Sequence, residues 1–208
     1  MGKRPFAWEA SYPPGVIWDA PITPFTLVDL IDNAANDYGD RAAIECRNAL
    51  ISYRSLGEMV TRMAAGLAQH GIKKGDRVAL YMPNSPAHPI AFFGALKAGA
   101  IVVQLSPLDA MPELLFKLDD AQAHTLITTN IDPLLPAAME LLAQGALVQV
   151  IVIEDEMFGA PEGPRAPAPT RSGVTLYSKF DTVRTPSEWP RVTPDDIALL
   201  QYTGGTTG

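Results

Sequence analysis

The residues best suited to chemistry stand together at the end of the chain: Tyr202-Thr203-Gly204-Gly205-Thr206-Thr207-Gly208. Glycines let a backbone approach a ligand closely and take conformations that a side chain forbids. Successive backbone N–H groups then form a concave cradle for an anion. The hydroxyls of Thr203, Thr206 and Thr207 add further donors. Such a loop suits the neutralisation of charge on phosphate oxygens. It is not a Walker A loop, because no Gly-Lys-Ser/Thr sequence follows its glycines. Taken alone, a Gly/Thr-rich stretch marks a flexible tail about as readily as a ligand loop.

The other reactive side chains are scattered. Cys46 is the single cysteine, which excludes an internal disulfide and the usual structural zinc site. Its surroundings read as a buried strand. His70, His88 and His124 lie far apart with no metal-ligand spacing. His70 falls at a helix C-terminus, where the dipole favours a positive ring, and His88 in the first turn of a helix. Glu154-Asp155-Glu156 reads as a charged strand end before a loop, and Asp119-Asp120 as a solvated helix face. Neither a catalytic residue nor a metal ligand is assigned.

A ligand loop needs a scaffold, and the sequence between the prolines supplies one. Thr26 and Asp29 form an N-cap pair before Leu27, Leu30, Ile31, Ala34 and Tyr38 at helical spacing. Ala42–Cys46 and Leu50–Tyr53 read as a hairpin around a turn at Arg47-Asn48-Ala49. Ser55 and Glu58 read as a capping box for a helix ending at Gly71. Strands at Arg77–Met82, Ile101–Leu105, His124–Thr129 and Leu147–Glu154 then alternate with helices starting near Pro86, Pro112 and Pro133. These strands are apolar without alternation, as expected when helices cover both sheet faces. A last strand, Asp196–Thr203, leads into the glycine loop. The pattern predicts an α/β fold with a mostly parallel sheet flanked by helices on both faces. Within it, Ala91-Phe92-Phe93-Gly94-Ala95-Leu96 reads as core packing.

Prolines mark what lies outside the scaffold. Five of the 19 fall in residues 1–24, which read as an extended arm whose Trp8 and Trp18 would anchor it on the domain or a partner. Four more, with three glycines, fall in residues 159–173, which read as a mobile surface loop. Residues 25–208 then form the domain.

Composition narrows the partners. Of 208 residues, 47% are apolar and the net charge is −7, with Lys73-Lys74 the longest basic run, so a nucleic-acid partner is not expected. The longest apolar stretch, Ile90 to Val103, is interrupted by Gly94, Lys97 and Gly99, so no transmembrane segment is expected. The N-terminus lacks an apolar run behind Lys3 and Arg4, and a cytoplasmic location is expected.

In this context the loop resembles the first half of the phosphate-binding motif of the adenylate-forming acyl-CoA synthetases, a motif that continues with Pro, Lys and Gly. Gly204 stands where many members have Ser, and the Gly form is similar to that of bacterial fatty-acyl-CoA ligases. Three upstream stretches agree in order and spacing. They are Ile51-Ser52-Tyr53-Arg54-Ser55-Leu56, the run from Gly71 through Pro83-Asn84-Ser85, and Leu96-Lys97-Ala98-Gly99-Ala100 ending at Leu105-Ser106-Pro107. Ser106 replaces a common Asn or Asp. The resemblance covers residues 24–208 apart from 159–173.

The resemblance implies ATP, Mg²⁺ and CoA as cofactors of a parent enzyme, and a small carboxylic acid, fatty or dicarboxylic, as substrate. Thr203, Gly204, Gly205, Thr206, Thr207 and Gly208 would hold the β- and γ-phosphates. The chain would be the N-terminal part of such a ligase, cut within the loop and inactive alone, with apolar surface left open to self-association. The alternatives are an adenylating enzyme with a non-CoA acceptor and a stand-alone binding module of the same fold.

Overall fold

The computed structural model describes residues 6–17, 19–160 and 163–203. In the N-terminal arm, a single 3-10 turn spans Glu9–Ser11, and the Trp8 ring stacks on Phe6 with centroids 5.2 Å apart. Trp18 lies outside the described residues. Helix α1 (Leu27–Tyr38) starts as its sequence predicts. Thr26 Oγ1 accepts the Asp29 N–H at 3.0 Å, and the Asp29 carboxylate accepts the Thr26 N–H at 2.9 Å. The exchange satisfies two donors at the helix entrance.

Strands β1 (Ala42–Cys46) and β2 (Ala49–Ser52) form the expected antiparallel hairpin, with a tighter turn. Arg47 and Asn48 both have positive φ, 49° and 62°, so the loop is two residues long and Ala49 belongs to the strand. Helix α2 (Tyr53–Gln69) corrects the predicted start. Its N-cap is Ser52, whose Oγ accepts the Ser55 N–H at 3.1 Å, and Ser55 and Glu58 do not form a capping box. The strand runs directly into the helix, so the first available hydroxyl takes the cap.

The remaining elements alternate: β3 (Arg77–Tyr81), α3 (Ala87–Lys97), β4 (Ile101–Leu105), α4 (Met111–Ala121), β5 (Thr125–Thr129), α5 (Leu134–Ala143), β6 (Gln149–Ile153), β7 (Val174–Leu176) and β8 (Leu199–Gln201). The strands order as β7-β6-β5-β3-β4-β8, and every pairing is parallel. The predicted last strand, Asp196–Thr203, contracts to three residues. The Asp196 carboxylate is taken up by Thr193 N–H at 2.7 Å and Lys74 Nζ at 2.7 Å, which turns the chain before it can pair.

Successive strand residues feed two cores. Val78 and Leu80 pack with α2 and α3, whereas Ala79 and Tyr81 pack with α4 and α5. The same split recurs in β4, where Val102 serves the first core and Val103 the second. Each fully buried side chain of Leu or Met size contributes about 1.5–3 kcal/mol. Helices α2 and α3 meet at Gly94, where a Cβ would lie 2.4 Å from Met63 Cγ. Only a residue without a side chain permits that approach. Of Ala91–Leu96, Ala91, Gly94, Ala95 and Leu96 are buried in this first core, with Phe92 and Phe93 partly so.

Among the described residues of segment 159–173, none belongs to a helix or strand. Ala166 N–H reaches the Asn130 carbonyl at 2.9 Å, and Arg165 pairs with the buried Asp155.

Candidate functional site

In an open α/β sheet, ligands bind beyond the carboxyl ends of strands at the point where neighbouring connections leave toward opposite faces. Here that point lies between β3 and β4. The chain leaves β3 into α3, which packs on the first core, and leaves β4 into α4, which packs on the second. A cleft of about 350 Å³ opens there. Its walls are Met82, Pro83 and Asn84 after β3, Ser106 and Pro107 after β4, and Gln201 and Tyr202 at the end of β8, with Lys117 reaching in from α4.

The cleft's polar groups are positioned by contacts within the fold. Asp109 shapes the loop after β4, accepting the Ser106 N–H at 2.9 Å and Lys117 Nζ at 2.7 Å. Lys117 is the cation in the described lining, and its charge is already met by Asp109. Gln104 Oε1 accepts from His88 Nε2 at 2.9 Å, and the Gln104 amide nitrogen donates to the Leu105 carbonyl at 3.2 Å. His88 also stacks on Phe92, with centroids 6.1 Å apart. Burial, joined by the nearby Asp109 charge, pushes the Tyr81 hydroxyl above its usual range.

Strand β8 delivers the chain to this cleft. Its last pair is Gln104 with Gln201, so ladder support ends one residue before Tyr202. The Tyr202 hydroxyl donates to Asp120 Oδ2 at 2.6 Å, with the Lys117 carbonyl oxygen at 3.2 Å. Lys117 Nζ lies 5.7 Å from the Tyr202 ring centroid. Burial and the Asp120 hydrogen bond push this hydroxyl's pKa up to about 12, so it remains a donor at neutral pH.

Of the six predicted loop residues, the structure places Thr203, which is exposed and directly follows Tyr202. Gly204, Gly205, Thr206, Thr207 and Gly208 lie outside the described residues. Among the described residues no group of three or more His, Cys, Asp or Glu is placed to hold a metal ion. Within the cleft's lining, the Lys117 ammonium, paired with Asp109, and the Asn84 amide fit an anionic oxygen ligand rather than a bare cation.

A sequence model of the family described as "AMP-binding enzyme" matches residues 31–208. The chain belongs to that family. Among curated AMP-binding relatives, the long-chain-fatty-acid–CoA ligase of Bacillus subtilis (strain 168) is 31% identical over 97% of this chain and 38% of its own length. That of Salmonella typhimurium is 33% identical with the same coverage. The crystal structure of a long-chain-fatty-acid–CoA ligase from Archaeoglobus fulgidus is similar at a TM-score of 0.71 and 25% identity, over 89% of this chain and 36% of that one. The chain thus spans about 38% of the length of the curated relatives it matches. The predicted fold class, a parallel sheet covered on both faces, is that of these AMP-binding neighbours.

Several cleft residues carried no predicted role. Asn84 and Ser106 sit in stretches whose resemblance to the family was visible, yet nothing marked them as cleft walls. Asp109, Lys117 and Asp120 acquire their meaning through contacts with Ser106 and Tyr202, which no local pattern announces. Asp120, expected on a solvated helix face, is exposed and holds the Tyr202 hydroxyl. Asp155, expected at a charged strand end, is buried at 1% exposure between Arg47 and Arg165. His70 caps the C-terminus of α2, as expected, with Nδ1 2.8 Å from the Gly66 carbonyl oxygen.

Proposed function

We propose that the chain supplies the phosphate-loop part of an ATP-dependent acyl-CoA ligase, as the N-terminal portion of that enzyme. The parent would join a fatty or dicarboxylic acid to CoA through an acyl-adenylate. The observation that carries this reading is the family match over residues 31–208, which takes in the glycine-rich stretch that follows Gln201 and Tyr202 of the cleft lining. The names of the relatives favour a long-chain fatty acid as substrate.

The acid's carboxylate attacks the α-phosphorus of ATP and pyrophosphate leaves. Charge gathers on the leaving group, and donors already aimed at it lower the barrier. Thr203 through Gly208 would supply those donors with their hydroxyls and backbone N–H groups. Lys117 adds positive potential nearby, softened by Asp109. Magnesium, when bound with ATP, would neutralise further phosphate charge, and CoA would accept the acyl group. No helix among the described residues is long and apolar enough to cross a membrane, in keeping with the cytoplasmic location we propose.

Residues 1–208 alone would not turn over, because the chain covers a minor share of its relatives. The test is acyl-CoA formation from ATP, CoA and a panel of fatty, dicarboxylic and aromatic acids. Residues 1–208 are compared with the longer protein that contains them. We expect product from a fatty acid with the longer protein and none with residues 1–208. Product from residues 1–208 would overturn the inactivity. Transfer to a carrier thiol but not to CoA would replace the acceptor.

A further inference from the structure

The transition from β8 to the glycine loop has little backbone support. Strand β8 is three residues long and its ladder ends at Gln201. The next residue is instead held from the side. The Tyr202 hydroxyl reaches across to the last turn of α4, 2.6 Å from Asp120 Oδ2 and 3.2 Å from the Lys117 carbonyl oxygen. Both partners stand on one face of the helix, three residues apart. Lys117 adds a second contact over the ring at 5.7 Å, and Asp109 fixes the ammonium at 2.7 Å. Asp120 itself is exposed, and no described cation pairs with it. Its carboxylate thus serves Tyr202 and not an ion pair.

We propose that Tyr202 and Asp120 form a side-chain tether that fixes where the phosphate loop leaves the sheet, which makes both of them positioning residues for nucleotide binding. The proposal rests on the ligase reading for its nucleotide, but the tether itself is a property of the chain. A loop rich in glycine loses much conformational freedom on binding, so an anchored first residue lowers the cost of ordering it. Asp120 acts through Tyr202 and touches no phosphate. The tether also ties Tyr202 to Lys117 and, through its ammonium, to Asp109.

Two measurements test this separately. The first is backbone ¹⁵N relaxation at Tyr202 and Thr203 in the 208-residue chain, which needs no catalytic activity. Tyr202→Phe removes the hydroxyl and keeps the ring, and Asp120→Ala removes the acceptor. Each is expected to lower the order parameters of both residues from about 0.85, rigid backbone, to below about 0.6, flexible chain. The double variant should add nothing further. Asp120→Asn keeps an acceptor oxygen and should restore most of the order. The second measurement is steady-state kinetics of the longer ligase. Both single variants should raise KM for ATP several-fold and leave KM for the acid unchanged, with recovery in Asp120→Asn. Unchanged order parameters in Tyr202→Phe overturn the tether. So does a loss of thermal stability in both variants without a change in KM for ATP. Lowered order parameters in both variants, together with a longer wild-type protein that makes no acyl-adenylate, keep the tether and remove the ligase reading.

Discussion

Asp155 shows how one buried charge organises a distant part of the chain. Its carboxylate receives a two-pronged hydrogen bond from Arg47, at 2.7 and 3.0 Å, and a further one from Arg165. Its own N–H donates to Asn130 Oδ1 at 2.9 Å. The hairpin turn, the end of β6 and the proline-rich segment therefore meet on one side chain. Burial alone would raise the pKa of this acid, but the hydrogen bonds from Arg47 and Arg165 outweigh it and hold the group below its ordinary range. Replacing Asp155 with Ala strands two arginines in a poorly hydrated place. The expected loss is about 3–5 kcal/mol, read by urea denaturation. The pH dependence follows from the sign of the shift. The unfolded carboxyl binds its proton first, at about pH 3.9, so the contribution is complete above that value and fades as pH falls toward the folded pKa. Denaturation midpoints between pH 6 and pH 2.5 should therefore fall less steeply in Asp155→Asn than in the wild type.

Elements are held by shape as much as by charge. Helices α2 and α3 approach closely because Gly94 leaves room for Met63, which is fully buried. A methyl group at position 94 meets Met63 Cβ at 2.6 Å and the Val60 carbonyl oxygen at 3.3 Å, and neither can move far. Gly94→Ala is expected to cost about 1–3 kcal/mol despite its better helix propensity. A stability equal to or above wild type would show that the helices slide apart freely. The same elements show what sequence conveys and what it does not. The apolar runs at Val78–Tyr81, Ile101–Leu105 and Val150–Ile153 announce covered parallel strands, because both faces demand the same chemistry. The shortness of β8 was hidden, since Asp196 turns the chain through Lys74, 122 residues earlier. The start of α2 was ambiguous because Ser52 and Ser55 offer the same hydroxyl three residues apart. In the site, the glycine loop is legible by composition. Its link to Asp120 spans 82 residues and exists only in three dimensions.

At the scale of the molecule, β8 is one edge of the six-stranded sheet, opposite β7, and Ile197 before it and Leu199 within it are 59% and 39% exposed. An unpaired edge with apolar neighbours seeks a partner. The 208-residue chain is therefore expected to gain average mass with concentration in light scattering, and a constant monomer mass would contradict this. The larger question is what the glycine-rich stretch after β8 does. The most direct measurement is exchange of labelled pyrophosphate into ATP by the longer protein that contains residues 1–208, because it isolates adenylation from thioester formation. The account predicts exchange that requires a fatty acid, proceeds without CoA, and falls at least tenfold in Thr206→Val, whose missing hydroxyl weakens phosphate binding. A folded protein that shows no exchange with any carboxylic acid would contradict it.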